Sequence, residues 1–197
     1  MNREIFRDNS IGLLILAGGK SERMGSDKAG LVLGDLTFSQ TLAENMGLYS
    51  ERLFSSAKGP APCGFSLIAD SQKLTGKGPM AGVATALSVC ESRALMVVPC
   101  DCPFADFSVA EKATGVFLSL DDTGCVPVIA SGDNGIEPLI GVYPRNAGSI
   151  IEKLLLMGKY RARDILEATG YRTVKIQQDK LININTPEDY IKYGKRR

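Results

Sequence analysis

Short apolar runs alternate with segments of helical spacing along most of this chain. The runs Ile11–Leu16 and Ala94–Val98 are almost unbroken in apolar residues, which is typical of strands covered on both faces of a parallel sheet. Between them, residues 37–49 carry apolar side chains at helical spacing, and Pro79 stands where proline is favoured, at the start of an apolar helix. This alternation predicts a sheet with helices on both faces.

The rest of the chain continues the pattern as far as its last residues. Further strands are predicted at 52–56, 65–69, 125–130, 137–143, 172–176 and 181–184. The helix that Pro79 opens covers 80–89, and further helices are predicted at 107–118, 146–157, 161–168 and from Pro187 onward. The turn-rich residues 131–135 predict a hairpin between two of these strands. Together the elements predict a three-layer α/β/α, Rossmann-like fold with a mostly parallel sheet, in one domain over residues 1–197.

Composition narrows the possible partners and location. The 197 residues carry a net charge of +1, so no basic surface for nucleic acid is indicated. No apolar run approaches the roughly 18 residues of a membrane span, and the first residues lack the apolar stretch of a signal peptide. We therefore expect a cytoplasmic protein that binds neither nucleic acid nor membrane.

Cysteine and histidine content limits the possible chemistry. The five cysteines are scattered without a C-x-x-C pair and the chain has no histidine, so a structural zinc site and a disulfide framework are both disfavoured. Without histidine, a Ser-His or Cys-His nucleophile pair is excluded. Catalysis must therefore use carboxylates, cations, backbone amides and metal ions.

A glycine-rich loop with two cations follows the first strand. Gly18 and Gly19 leave backbone amides available for an anion, and Arg23 and Lys28 are spaced to reach the same anion, as a triphosphate requires. The loop is not a P-loop, because Leu14 stands where that motif has its first glycine. The structural alternative is an ordinary strand-to-helix turn with solvated charges.

Two aspartates follow later strands, Asp70 after 65–69 and Asp101 after 94–98. Because ligands in open α/β sheets bind beyond the carboxyl ends of strands, Gly18, Asp70 and Asp101 are expected to share one site. Asp101 lies in the stiff turn Pro99–Pro103, and a single fixed carboxylate facing phosphates is sufficient for Mg²⁺. Its alternative role is to cap the next helix.

Two further segments have both a functional and a structural interpretation. The glycines around Gly78 can approach a nucleotide closely or simply form a tight turn. Asn183 and Asn185, predicted on one face of the late strand, can reach the metal or a phosphate, although Asn185 can equally cap the terminal helix.

Four motifs together resemble those of the molybdenum cofactor guanylyltransferases, the MobA-type members of the glycosyltransferase-A-like nucleotidyltransferases. They are Leu16-Ala-Gly-Gly-x-Ser-x-Arg-Met-Gly-x-Asp-Lys28, Gly78-Pro-Met-Ala-Gly82, Pro99-Cys-Asp-Cys-Pro103 and Asn183-Ile-Asn-Thr-Pro-Glu-Asp189. The resemblance spans nearly the whole chain in the family's order. It implies the nucleotide-diphospho-sugar transferase fold and the Mg²⁺-dependent transfer of GMP from GTP to molybdopterin, releasing pyrophosphate.

The resemblance also implies roles for individual residues. The nucleotide side would comprise Leu16, Ala17, Gly18, Gly19, Lys28, Asp70, Gly78 and Asp101. Asp101 would bind Mg²⁺, and Arg23 and Lys28 would offset charge on the departing pyrophosphate, so the catalytic residues would be Arg23, Lys28 and Asp101. The molybdopterin side would comprise Asn183, Asn185 and Arg161. Partner proteins would be molybdoenzyme chaperones or other enzymes of cofactor biosynthesis.

Two rival functions remain at this point. Another nucleotidyltransferase on the same scaffold, such as a molybdopterin cytidylyltransferase or a sugar-nucleotide pyrophosphorylase, would use the same loop. Cytidylyl relatives generally carry Ala-Ala-Gly where this chain has Ala17-Gly18-Gly19, which favours guanylyl transfer. A catalytically silent nucleotide carrier would bind GTP without releasing pyrophosphate.

Overall fold

The computed structural model describes residues 10–17, 31–47, 49–57, 60–120 and 125–194. Its strands are β1 (Ile11–Leu16), β2 (Val32–Leu33), β3 (Leu36–Thr37), β4 (Arg52–Ser55), β5 (Ser66–Ile68), β6 (Ala94–Pro99), β7 (Val128–Gly132), β8 (Gly135–Pro144) and β9 (Arg172–Lys175). Its α-helices are α1 (Phe38–Asn45), α2 (Pro79–Val89), α3 (Phe107–Leu118), α4 (Ala147–Leu156), α5 (Ala162–Thr169) and α6 (Pro187–Tyr193).

Seven strands form one sheet in the order β5-β4-β1-β6-β8-β7-β9. The pairs β4–β5, β1–β4, β1–β6 and β7–β9 are parallel, whereas β8 runs antiparallel to both β6 and β7. The predicted mostly parallel sheet is thus confirmed, and β7 and β8 form the predicted hairpin. Because β1 and β6 lie at the centre, their continuous apolar runs are covered on both faces.

The core consists of two layers, one on each face of the sheet. Alternate residues of β1 point to opposite faces, so Ile11, Leu13 and Ile15 pack in one layer and Leu14 and Leu16 in the other. The first layer includes side chains of α1 and α3, and the second includes those of α2, α4 and α5. The helices therefore lie on both faces, as the sequence predicts.

The first predicted helix ends earlier than its apolar spacing suggests. It spans Phe38–Asn45 rather than 37–49, and Thr37 caps it through a reciprocal pair of bonds with Gln40. Gly47 then adopts a φ of +93°, and a Cβ built there would lie 2.8 Å from Phe107 Cδ2. The chain therefore leaves the helix at a position that favours glycine. Ahead of it, β2 and β3 form a small hairpin that the sequence did not predict.

The predicted strand at 181–184 is wrong. Residues Gln178–Leu181 form a 3₁₀ turn, and the segment that follows is extended without joining the sheet. Leu181 and Ile184 are buried, so the apolar residues that suggested a strand instead anchor the segment to the core. No strand position is open beside β6, because β1 and β8 already occupy both of its sides.

None of the helices in the part of the chain that the structure describes combines the length and the apolar character needed to cross a bilayer.

Candidate functional site

Four parallel strands end at the same edge of the sheet. β5, β4, β1 and β6 are neighbours with one common direction, so Ile68, Ser55, Leu16 and Pro99 mark their shared carboxyl edge. In open α/β sheets, ligands bind beyond such an edge. The residues that follow these strands form the candidate site.

The end of β1 is held between its two neighbouring strands. The Leu16 carbonyl accepts a bond from the Cys100 amide at 2.8 Å, and the Ala17 amide donates to the Ser55 carbonyl at 2.8 Å. Beneath it, α2 approaches closely: a Cβ on Gly82 would lie 2.7 Å from Ser55 Oγ and 3.1 Å from Leu16 Cδ2. Leu16 and Ala17 are therefore fixed at the centre of the edge, where the glycine-rich loop begins.

Asp101 lies in a tightly bonded turn directly after β6. The Cys102 amide donates to the Pro99 carbonyl at 3.1 Å, and the Ala105 amide donates to the Cys102 carbonyl at 3.1 Å. The alternative role of Asp101 as a helix cap is wrong, because Asp106 caps α3 by accepting a bond from the Ser108 amide. Asp101 therefore stands at the carboxyl edge, before the next helix begins.

The C-terminal segment docks onto this turn through residues 183 and 184. The Ile184 amide donates to the Asp101 carbonyl at 2.8 Å, and the Asn183 side-chain oxygen lies 2.8 Å from Cys102 Sγ. This segment is extended but does not join the sheet, so the predicted strand is wrong, whereas the roles of Asn183 and Asn185 stay predictions. The Asn183 side chain contacts the Asp101 turn through Cys102, and the Asn185 backbone amide donates to Asp189. Thr186, rather than Asn185, caps α6.

Two more contacts tie the C-terminal segment to the site. Lys180 Nζ lies 2.6 Å from the carboxylate of Asp106, the residue that caps α3. At the far end, the Tyr190 hydroxyl donates to the Val32 carbonyl at 2.6 Å, in the strand that follows the glycine-rich loop. The segment from Lys180 to Tyr190 therefore joins the Asp101 turn to the far end of the loop region.

The ion pair between Lys180 and Asp106 can be tested by comparing the stability of wild type and Lys180→Met at different pH values. Burial raises the pKa of Asp106, but hydrogen bonds from Lys180 and Ser108 outweigh this effect, so the pKa of Asp106 is lowered overall. The pKa of Lys180 is raised, chiefly by its hydrogen bond to Asp106. The pair therefore stabilises the fold at neutral pH, and this contribution is lost as pH falls through the folded-state pKa of Asp106. We expect Lys180→Met to cost about 0.5–1 kcal/mol near neutral pH.

Urea unfolding of both proteins at several pH values measures this difference. The wild-type advantage should shrink toward zero as Asp106 becomes protonated, and at alkaline pH as Lys180 loses its proton. An advantage of the same size across the whole acid range would show that lost packing, rather than the ion pair, causes the effect.

Glu137 is a second carboxylate at the site that the sequence analysis missed. Burial and the charge of Asp101 raise the pKa of Glu137, whereas Arg163 lowers it. Glu137 lies at the start of β8, which runs antiparallel beside β6, so the hairpin brings it toward the Asp101 turn. Its only sequence signal is its place in the Glu-Pro pair near the start of a predicted strand.

Arg161 lies near the start of α2, whereas the charge of Arg163 acts on Glu137. Arg161 precedes α5, and the carbonyl oxygen of the preceding residue Tyr160 would lie 3.5 Å from a Cβ built on Gly78, the residue before α2. Lys77 Nζ also stands over the Tyr160 ring, 5.2 Å from its centre. Gly78 has a φ of +85°, so its backbone conformation favours glycine, and its contact with a nucleotide stays a prediction.

Asp70 follows the edge strand β5 and lies well away from Asp101. Three strand spacings of about 4.8 Å separate β5 from β6, so the two aspartates are on the order of 14 Å apart across the sheet. They cannot hold one ion between them, although they can face opposite ends of one extended ligand. Partial burial raises the pKa of Asp70, whose side chain remains largely accessible.

The glycine-rich loop itself is outside the described residues. The predictions for Gly18, Gly19, Arg23 and Lys28 all fall there. These assignments stay predictions that rest on the sequence.

The donor atoms around Asp101 fit a hard cation with few protein ligands. Among the residues described, no three His, Cys, Asp or Glu side chains gather closely enough to hold a metal ion by themselves. Mg²⁺ usually takes one or two protein carboxylates and completes its shell with phosphates and waters, which matches Asp101 with Glu137 nearby. Burial and the charges of Asp101 and Glu137 raise the pKa of the Cys102 thiol, so it stays protonated and is no metal ligand.

Fold and site together define the class of protein: an enzyme that transfers a nucleotidyl group. The chain belongs to the MobA-like NTP transferase domain family, which matches residues 13–175.

Known relatives agree with this assignment. A probable molybdenum cofactor guanylyltransferase from Carboxydothermus hydrogenoformans is 30% identical, with 90% of this chain and 92% of the relative covered. A molybdenum cofactor guanylyltransferase from Cereibacter sphaeroides is also 30% identical, covering 89% and 91%. The crystal structure of a molybdopterin-guanine dinucleotide biosynthesis protein A from Archaeoglobus fulgidus has a TM-score of 0.72 at 22% identity, covers 92% and 95% of the two chains, and shows the fold alone.

Proposed function

We propose that this enzyme transfers GMP from GTP to molybdopterin, forming molybdopterin guanine dinucleotide and pyrophosphate. The names of its relatives support this substrate pair. Five cysteines without a disulfide fit a reducing compartment, so we place the reaction in the cytoplasm. One sheet with strands from Ile11 to Lys175 supports a single nucleotidyltransferase domain over the chain.

One observation carries the proposal: the Asn183–Ile184 segment is bonded to the Asp101 turn, which in turn is bonded to the end of β1. The bonds Ile184 to Asp101 and Cys100 to Leu16 are both 2.8 Å long. A carboxylate, a side-chain amide and the start of the glycine-rich loop are therefore held at one place. A nucleotidyl transfer between two phosphorylated substrates needs this combination of charge and hydrogen bonding.

Asp101 is the residue proposed to hold Mg²⁺. When bound, the ion would neutralise charge at the α-phosphate of GTP. Leu16, Ala17, Gly18 and Gly19 would orient the nucleotide through their backbone. Arg23 and Lys28 would offset the charge of the departing pyrophosphate.

The two substrates would enter from different sides of the Asp101 turn. Asp70 and Gly78 lie on the β5–α2 side of the edge and are proposed to face the nucleotide. Asn183, Asn185 and Arg161 are proposed to face molybdopterin, and the exposure of Arg161 leaves its guanidinium accessible to a phosphate. Molybdoenzyme chaperones and other proteins of cofactor biosynthesis are the proposed protein partners.

The absence of histidine agrees with this reaction. The attacking group is a phosphate monoester oxygen, which is largely ionised near neutral pH because its second pKa is about 6. No general base is therefore required, and catalysis comes from positioning the substrates and stabilising charge.

Calorimetric binding tests the nucleotide assignment. GTP and CTP are titrated into the protein with and without Mg²⁺, and the same titrations are repeated with Asp101→Ala. We expect GTP to bind more tightly than CTP, with a Mg²⁺-dependent part that the variant lacks. If the wild-type protein preferred CTP, the result would favour a cytidylyltransferase. If the wild-type protein bound neither nucleotide, the result would contradict the proposal.

A further inference from the structure

We propose that Cys102 is a positioning residue: its buried thiol fixes the side-chain amide of Asn183, so that the amide nitrogen faces a phosphate oxygen of the substrates. This role rests on the proposed function for its substrate and on the described contacts for its geometry.

The thiol lies between two polar groups of the site. Its sulfur is 2.8 Å from Asn183 Oδ1 and 3.8 Å from Asp101 Oδ1, and Cys102 has no exposed surface. A thiol has one proton to donate, and the nearer oxygen is that of Asn183. The thiol therefore donates to the Asn183 oxygen while its sulfur also touches the Asp101 carboxylate.

This contact determines which end of the amide is available. A side-chain amide has an oxygen that accepts and a nitrogen that donates two protons. Because Oδ1 of Asn183 faces the thiol, Nδ2 is the end of the amide for which no hydrogen bond is seen among the described residues. Because Nδ2 can only donate, it suits a phosphate oxygen and does not suit a metal ion. The choice between metal and phosphate, left open by the sequence, thus favours phosphate.

The backbone holds both partners in place. Ile184 donates to the Asp101 carbonyl at 2.8 Å, so residues 183 and 184 cannot move away from residues 101 and 102 without breaking this bond. A lost thiol would therefore leave Asn183 near the turn but free to rotate its side chain. The expected defect is a misdirected amide rather than an unfolded segment.

Another buried cysteine provides a matched control. Cys90 is equally inaccessible, but its sulfur contacts the backbone carbonyls of Leu87 and Ser92 at 3.5 Å, at the amino end of β6 rather than its carboxyl end. Cys90→Ala removes a buried thiol without touching the site. It should lower thermal stability to a similar extent as Cys102→Ala and leave the kinetic constants unchanged.

A double-mutant cycle measures whether Cys102 acts through Asn183. We expect Cys102→Ala and Asn183→Ala each to lower kcat/KM for molybdopterin by about 10-fold, the scale of one lost hydrogen bond to a charged group. In the Asn183→Ala background, Cys102→Ala should have no further effect. Cys102→Ser keeps a donor and should restore activity to within about 3-fold of wild type.

A second measurement needs no substrate. In ¹⁵N-labelled protein, the Asn183 side-chain NH₂ signal is assigned by its loss in Asn183→Ala. We expect Cys102→Ala to shift this signal and Cys102→Ser to leave it close to its wild-type position. If wild-type protein fails to transfer GMP, the proposed function is wrong, yet the NMR comparison still tests the contact.

Two results would overturn the role of Cys102. One is additive losses in the double-mutant cycle, which would show that the thiol affects activity independently of Asn183. The other is an Asn183 signal that does not respond to Cys102→Ala. Either result leaves wild-type transfer intact, so it differs from a failure of the proposed function.

Discussion

Asp101→Asn is expected to lower the rate of GMP transfer by about 10²–10³-fold, the usual cost of losing one electrostatic stabiliser of the transition state. Asparagine has nearly the same shape as aspartate, so the turn and its bond from Ile184 should persist. What disappears is the negative charge proposed to hold Mg²⁺. Steady-state release of pyrophosphate from GTP, measured with molybdopterin as the acceptor and saturating Mg²⁺, gives the result.

Asp106→Asn is the matched control for this variant. Asp106 lies five positions along the same connection, caps α3 and pairs with Lys180, and asparagine caps a helix about as well. We expect a modest loss of stability and near-normal turnover. Equal losses of activity in both variants would show that the Asp101 effect comes from a disturbed fold, and full activity of Asp101→Asn would refute its role in the site.

Gly141→Ala is expected to lower the free energy of unfolding by about 3 kcal/mol, near the upper end for overpacking in a core. Gly141 lies in the antiparallel strand β8, between β6 and β7. A Cβ there would stand 2.2 Å from the Val128 carbonyl oxygen and 3.0 Å from the Ile129 Cα. Both are backbone atoms of β7, which cannot move without disturbing its pairing. Urea denaturation monitored by circular dichroism measures the loss.

Gly115→Ala should change stability in the opposite direction. Gly115 lies within α3, and a Cβ built on it meets no described atom within 4 Å. Alanine should therefore stabilise the helix by about 0.5–1 kcal/mol. If Gly141→Ala proved as harmless as Gly115→Ala, the close contact between β7 and β8 would be wrong.

The sequence predicted the elements whose signals are local. The continuous apolar runs of β1 and β6 and the proline at the start of α2 were sufficient to place them, because burial and backbone restriction act on neighbouring residues. The strand predicted at 181–184 failed for a reason that no local pattern contains. Its apolar residues Leu181 and Ile184 are buried against the core without pairing in the sheet, and β1 and β8 already occupy both sides of β6.

In the site, too, the residue with a local sequence signal was predicted, whereas a residue and a contact that arise only in the fold were missed. Asp101 was predicted because it directly follows a buried strand, and the structure places it at the carboxyl edge. Glu137 was missed because it reaches the edge only through the antiparallel pairing of β8 with β6. The contact between Cys102 and Asn183 joins residues far apart in the chain, so only the fold could bring them together.

Transfer of label from GTP to molybdopterin tests the central claim most directly. GTP labelled at the α-phosphate is incubated with the enzyme, Mg²⁺ and molybdopterin, and a parallel reaction contains labelled CTP. We expect the label to appear in a molybdopterin dinucleotide, with one pyrophosphate released for each transfer and a kcat/KM for GTP at least about 10-fold above that for CTP. Transfer from CTP in preference to GTP, or no labelled product from either, would contradict guanylyl transfer to molybdopterin.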